Sequence, residues 1–330
     1  MFSDRAPLAL TAFALLTGSG AAMAQTAPVT AASYPSAVLR IVSPYPPGGG
    51  TDILARTIGQ KLNERFNQPV IVENRAGANG TLGAAYVAKG PPDGHTMLVV
   101  PAGYAANPGL YKSLPYDQAR ELAPVSLLAS GPLVLVVHPS LPARSVKELI
   151  AFAKARPGAL NVGSAGNGSL PHLSAELFNA LAGVKIVHIP YKGSGAAVAD
   201  VLGGHVPIYF MNILQSLPLI KAGKLRALGV TSPQRSAIAP DLPAIAEAGL
   251  KDFDMTNWYG LLVQGGTPRD VVAKLQQEVA RVLNLPELKE RLAGEGMTVI
   301  ASTPAQFVEF LARETTKFNR IIQSAGLSQQ

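Results

Sequence analysis

The residues best suited to chemistry in this chain are glycines and hydroxyls, not acids, histidines or cysteines. The run Tyr45-Pro46-Pro47-Gly48-Gly49-Gly50-Thr51-Asp52 follows an apolar stretch and precedes a helical one. Its three glycines leave backbone N–H groups unobstructed where a helix begins, and the helix dipole there favours negative charge. The pattern suits a small anion. It equally suits a plain strand-to-helix turn that needs flexible residues. No Gly-Lys-Ser/Thr follows, so it is not a nucleotide P-loop, and contiguous glycines do not match the dinucleotide fingerprint. A second run, Ser164-Ala165-Gly166-Asn167-Gly168-Ser169, repeats the physics with two hydroxyls and an Asn that tolerates left-handed backbone. A third, Ala76-Gly77-Ala78-Asn79-Gly80, opens another helix. One such turn in each half of the chain would set two anion-binding helix starts across a cleft.

Other chemistries find little support. There is no Cys, hence no disulfide framework, thiolate metal site or cysteine nucleophile. The five His (His95, His138, His172, His188, His205) form no His-x-x-x-His pair and no zincin arrangement. They read as surface or strand-end residues; His172, near the second turn, is the one to watch. No Gly-x-Ser-x-Gly elbow exists, and Asp and Glu are scattered. Neither a cofactor nor a metal is expected. Lys192, in Tyr191-Lys192-Gly193, is either an anion contact or a solvated turn residue. The net charge of +7 and the 15% charged fraction exclude an acidic, halophile-type surface, and dispersed basic residues with 6% aromatics argue against nucleic acid. The charge leaves small anions as the best-matched partner class.

The elements that must position these turns alternate. Apolar strands are predicted at 38–43, 70–72, 96–100, 133–137, 160–164, 185–189, 206–211, 225–230 and 255–263. Helices are predicted at 52–66, 82–88, 145–155, 169–181, 194–202, 214–222, 267–283 and 304–322. Ser145 with Glu148 reads as a capping box, and Thr267-Pro268 as an N-cap followed by Pro at the first helical position. The alternation implies α/β architecture with mainly parallel sheets covered by helices. With 330 residues and 48% apolar side chains, the chain has room for two cored units. The strand–glycine turn–helix opening at Ile41–Thr51 is echoed at Leu160–Ser169, which suggests two similar lobes.

The first residues read as an address. Arg5 precedes an uncharged apolar run, Ala6 to Leu16, and Ala22-Met23-Ala24 fits a small-x-small cleavage site. The run is too short to cross a bilayer of about 30 Å. A signal peptide over 1–24, cleaved after Ala24, and a flexible leader over 25–36 are expected. The exported chain would need no membrane anchor and would keep its charge, since Arg5 and Asp4 cancel.

Beyond the turns, further motifs follow in order: Val72-Glu73-Asn74-Arg75-Ala76-Gly77, Pro92-Asp93-Gly94-His95-Thr96, Leu114-Pro115-Tyr116-Asp117, Pro190-Tyr191-Lys192-Gly193-Ser194, Trp258-Tyr259-Gly260-Leu261 and Gly266-Thr267-Pro268. With them the sequence resembles the Bug receptors, the extracytoplasmic solute-binding proteins of tripartite tricarboxylate transporters, over nearly the whole chain past the leader. The resemblance implies a two-lobed periplasmic binding protein type II-like fold, each lobe a mixed sheet flanked by helices. Residues 37–131 and 256–330 would form lobe 1, and 132–255 lobe 2. It implies a monomeric periplasmic receptor that captures a small carboxylate by hinge closure and delivers it to membrane transporter subunits. The alternatives are an orphan sensor feeding a signalling partner, and a periplasmic hydrolase. By carry-over, lobe 1 would contact ligand through Tyr45, Pro47, Gly48, Gly49, Thr51, Asp52, Ala78 and Asn79. Lobe 2 would use Ser164, Gly166, Asn167, Ser169, Tyr191 and Lys192. The chain departs from the family pattern at Pro207 and Met211, where acids are usual, and at Leu170-Pro171. Met211 is therefore expected to make the far end of the cleft less polar, favouring a carboxylate with an apolar or aromatic body.

Overall fold

The computed structural model describes Met1 and residues 30–327, so the predicted signal peptide lies, Met1 apart, outside the described residues. The chain runs β1 (Leu39–Ser43), α1 (Gly50–Phe66), β2 (Val70–Asn74), a 3₁₀ turn at Ala78–Gly80, α2 (Thr81–Ala88) and β3 (Thr96–Pro101). After a second 3₁₀ turn come α3 (Asn107–Leu110), β4 (Leu122–Gly131), β5 (Leu133–Val137), α4 (Val146–Ala155), β6 (Asn161–Ser164), α5 (Leu170–Ala182) and β7 (Val187–Pro190). Then follow α6 (Ser194–Leu202), β8 (Ile208–Asn212), α7 (Ile213–Lys221), β9 (Arg226–Val230) and β10 (Asn257–Gln264). The chain closes with α8 (Arg269–Leu283), α9 (Pro286–Gly294), β11 (Thr298–Val299) and α10 (Pro304–Ser324).

These strands build two sheets, one per lobe. The first has the order β11-β4-β10-β3-β1-β2 and the second β7-β6-β8-β5-β9. The expectation of mainly parallel sheets is corrected here. Only β2-β1-β3 and β7-β6-β8 are parallel; β10, β4 and β11, and likewise β5 and β9, pair antiparallel. The reason lies in the crossings. Strand β4 of the first sheet ends at Gly131 and β5 of the second begins at Leu133, with Pro132 alone between them. Gly131 has no room for a side chain, because a Cβ there would lie 2.5 Å from the Gly296 carbonyl oxygen. The return crossing leaves β9 at Val230 and enters β10 at Asn257. Buried Thr231 laces the two crossings together. Its hydroxyl accepts from the Leu133 N–H (2.8 Å) and donates to the Met255 carbonyl (2.9 Å).

Each sheet is covered on both faces because its strands alternate two buried sets of side chains. One apolar cluster belongs to the first lobe, around Ile41, Leu54, Ile58 and Leu261; another belongs to the second, around Val134, Tyr209 and Met211. The largest cluster runs through both lobes, from Leu98 and Trp258 by way of Leu110 and Phe318 to Leu173 and Phe178. Trp258 packs edge-on against Phe307 and Phe310, and its indole N–H donates to Glu314 at 2.9 Å.

Three local expectations change. The Ser145 hydroxyl accepts the Glu148 N–H (3.1 Å), but Glu148 reaches the Arg144 N–H instead of closing the box on Ser145. The N-cap of α8 is Pro268 rather than Thr267, whose N–H is taken by the Gln264 carbonyl in a tight turn. The leader is packed by its C-terminal end. Tyr34 is buried, donates to the Gly94 carbonyl (2.8 Å) and meets Phe66 and His95 edge-on.

Candidate functional site

The parallel strands β1 and β6 both end at the cleft between the lobes, where open α/β sheets place their ligand crevices. A cavity of about 890 Å³ occupies it. Tyr45 to Thr51, Ala76 to Gly80 and Tyr259 line it from the first lobe; Ala165 to Asn167, Ser169 to Pro171 and Lys192 to Ala196 line it from the second. A second depression, about 620 Å³, lies along α10 among side chains of both charge signs and includes no glycine turn.

The first turn is built as an anion site. Helix α1 starts at Gly50 after the extended N-cap Gly49, so the Gly50, Thr51 and Asp52 N–H groups have no acceptor within the helix. Gly48 sits at φ +83°, a left-handed conformation that a side chain would resist. Gly50 faces the Tyr259 hydroxyl so closely that a Cβ would overlap it at 2.1 Å. Asn257 donates to that hydroxyl at 2.9 Å, which leaves the Tyr259 proton to donate into the cleft.

Asp52 would repel an anion if it faced the cavity. It does not line it. Its Oδ2 accepts the Gly48 N–H (3.0 Å) and Arg56 Nε (3.1 Å), and its Oδ1 accepts Asn74 Nδ2 (2.8 Å). Asn74 in turn donates to the Tyr45 carbonyl (3.1 Å). Burial alone would raise the Asp52 carboxyl, but the hydrogen bonds from Arg56, Gly48 and Asn74 hold it below its ordinary range. Asp52 thus shapes the turn from behind, with its charge answered by Arg56.

The second turn has spent most of its donors internally. The Ser164 hydroxyl, fully buried, accepts the Gly166 N–H at 3.1 Å. Ser169 donates to the Gly166 carbonyl at 2.7 Å, and the Gly168 N–H donates to His172 Nδ1 at 3.0 Å. Pro171 removes another N–H from the first turn of α5. Two of the expected neighbours also turn away. Tyr191 donates to Asp200 at 2.6 Å and does not line the cavity. Met211 has no exposed surface and packs in the second-lobe core, so it does not set the polarity of the cleft. The apolar wall comes from Leu133, Phe210, Leu214 and Met297 instead.

Of the fifteen residues named from sequence, eleven line the cavity: Tyr45, Pro47, Gly48, Gly49, Thr51, Ala78, Asn79, Gly166, Asn167, Ser169 and Lys192. Asp52, Ser164, Tyr191 and Met211 do not. Sequence reasoning missed Tyr259, Asn257 and the start of α6. Gly193-Ser194-Gly195 ahead of an apolar helical stretch was the available signal for the last.

The Ser164 hydroxyl lies 2.6 Å from His188 Nε2, a serine–histidine contact that sequence spacing could not reveal. It is not arranged as a nucleophile and base. Ser164 is sealed off, and His188 stacks on His172 with ring centroids 3.8 Å apart and planes 17° off parallel. Burial, and then the neighbouring His172, push the His188 imidazole down to about 3, too low to hold a proton at neutral pH. The pair also predicts a pH response. An unfolded His titrates near about 6.5, so between that pH and about 3 the unfolded chain binds the extra proton. Stability therefore rises with pH across this window. Discounted for the partial exposure of His188, the loss between pH 7 and pH 5 is on the order of 1 kcal/mol. Urea unfolding at both pH values should give a steeper decline for the natural chain than for His188→Gln. Equal slopes would remove His188 as the cause.

The family profile described as "Tripartite tricarboxylate transporter family receptor" matches residues 54–327. Protein BugT of Bordetella pertussis is 38% identical over 302 residues, 91% of this chain and 93% of that protein. A structure described as R. palustris Rpa4515 with adipate is 35% identical and superposes with a TM-score of 0.85, covering 90% of this chain and all of the other. MatC from Rhodopseudomonas palustris with bound malate is 31% identical with a TM-score of 0.81, over 88% of this chain and all of the other. The two mixed sheets flanked by helices are those of periplasmic binding proteins such as BugD, at a TM-score of 0.82 and 30% identity. The chain belongs to the receptor family of tripartite tricarboxylate transporters.

Proposed function

We propose that this protein is a periplasmic receptor that captures a small carboxylate between its lobes and hands it to the membrane subunits of a tripartite tricarboxylate-type transporter. One observation carries the reading: the start of α1, where Gly49, Gly50 and Thr51 line the cavity and the first N–H groups have no acceptor within the helix, with Asp52 paired to Arg56 behind it. The Thr51 hydroxyl lines the cavity beside these N–H groups and makes no hydrogen bond among the described residues, so it adds one more donor. Relatives with adipate and malate bound support the same ligand class. The lobes comprise residues 37–131 with 256–330, and 132–255, and the chain acts as a monomer after cleavage behind Ala24. Among the described residues no helix is long and apolar enough to cross a membrane.

Thermal unfolding with mono-, di- and tricarboxylates, aromatic acids and amino acids tests the reading. A ligand at about 100 times its Kd stabilises the folded state by roughly 2.7 kcal/mol. At least one carboxylate should raise Tm by several degrees. A panel in which none does would defeat the proposal.

A further inference from the structure

One acid does line the cavity. Glu295 of the first lobe is part of its wall, together with Tyr259, Asn257 and Met297. It is the C-cap of the 9-residue helix α9, so its carboxylate stands at the negative end of that helix, where a cation is favoured. The turn that carries it is wedged where the chain crosses between lobes. A Cβ on Gly131 would meet the Gly296 carbonyl oxygen at 2.5 Å. A Cβ on Gly296 would lie 2.3 Å from Ile213 Cγ2 and 2.7 Å from Ile238 Cδ1, both second-lobe atoms. Packing therefore fixes where Glu295 stands, and its side chain is only 15% exposed.

This carboxylate is only partly answered. One oxygen, Oε1, accepts Arg291 Nε at 3.3 Å; Oε2 makes no hydrogen bond among the described residues. Arg291 is exposed and does not line the cavity. An exposed pair of this kind, four residues apart on a helix, contributes little. The charge of Glu295 reaches Tyr259. Burial pushes that phenol up to about 12, and Glu295 adds to the rise while Asn257 opposes it. The phenol thus stays protonated, a donor beside Gly50. The cleft joins the donors at the α1 start to a negative acceptor near them. A group of like charge is repelled at Glu295, and a cationic donor is attracted there.

We propose that Glu295 is a specificity-determining residue that receives an ammonium group on the body of the captured carboxylate. This deepens the carboxylate reading and rests on it. The ligand class is an amino-substituted carboxylate. Its carboxylate takes the donors at the α1 start, its ammonium takes Glu295, and its hydrocarbon part meets Leu133, Leu214 and Met297 on the cavity wall.

Pairs that differ by one amino group test this: 6-aminohexanoate against hexanoate, and glutamate against glutarate, titrated calorimetrically into the full chain. At least one amino compound should bind at least tenfold more tightly than its partner. Glu295→Gln keeps the size of the side chain and an acceptor oxygen but removes the charge. It should cut that preference about tenfold and leave the unsubstituted acid bound as tightly as before, or more so. Arg291→Met frees the carboxylate and should widen the preference. Amino compounds that bind no better than their partners would overturn the assignment while leaving carboxylate capture intact. A Glu295→Gln variant that keeps the full preference would overturn it too, as would one that weakens both members of a pair equally, the mark of a purely structural role. Failure of every carboxylate to bind would defeat the parent reading, and this one with it.

Discussion

Replacing Asp52 by alanine should cost about 2–4 kcal/mol of stability at pH 7 and weaken binding of adipate or malate at least tenfold. The substitution removes no atom that faces the cavity. It removes the acceptor that ties the Gly48 N–H, the Asn74 amide and Arg56 into one knot. Gly48 adopts a φ of +83°, and its N–H is the anchor that Asp52 gives the turn. Once its N–H is released, the turn that presents Gly49 and Gly50 loses its shape, and the donors of α1 no longer converge. Asn74 would also lose its order, and with it the bond to the Tyr45 carbonyl. Asp52→Asn keeps one acceptor and should fall between the natural chain and alanine. The sign of the pH dependence follows from the depressed carboxyl. Its contribution is present above the unfolded value of about 3.9 and is lost as pH falls through the folded value. Urea unfolding at pH 7 and titration calorimetry check both arms. An alanine variant with natural affinity would mean that Asp52 does not shape the site.

Asp52 also marks the limit of what the sequence could say. The glycine turns were legible because two strand–glycine turn–helix openings, one in each half of the chain, stand out together even though either alone suits a plain turn. Which side chains point into the cleft was not, since a turn presents its residues to either side. Asp52 and Ser164 sit in the right motifs and face the wrong way, held by partners such as Asn74 and His188 that are remote in sequence. Met211 follows the same logic. It shares a face of β8 with Tyr209, which lines the cavity, but lies one step further along the strand and is sealed in the second-lobe core. Strand β4 escaped notice because Pro124 interrupts its apolar run; the structure accommodates it at a register irregularity against Leu262 of β10. The antiparallel members were equally hidden, because direction depends on where the chain crosses between sheets. The helix at 194–202 was predicted, but nothing in its spacing says that its start faces the cleft, because that depends on the packing of β6 and β8.

Gly168→Ala should reduce carboxylate affinity at least tenfold while leaving the lobes folded, and it addresses how those lobes meet. Gly168 lies on the second lobe but looks across at the first. Its carbonyl accepts from Asn79 Nδ2 at 3.4 Å. A Cβ there would lie 2.3 Å from Leu110 Cδ1 and 3.1 Å from Asn79 Nδ2, both first-lobe atoms. Leu110 belongs to the apolar cluster that runs through both lobes and cannot retreat freely. An added methyl therefore acts as a wedge, holding the second lobe away from the turn that carries Asn79. A ligand that bridges the lobes gains its affinity from the state in which they approach, so the wedge penalises that state selectively. Backbone strain is a confounding factor, since Gly168 also has φ +75°. Gly158→Ala controls for it: φ is +77° and no atom lies within 4 Å of its Cβ. Each variant should lose about 1–2 kcal/mol from left-handed strain. Only Gly168→Ala should also lose affinity, and small-angle scattering with saturating adipate should give it the larger radius of gyration. Equal affinity in the two variants would mean that contact at Gly168 is no part of ligand capture. A loss confined to Gly168→Ala would place the closing contact between the lobes at Asn79 and Leu110.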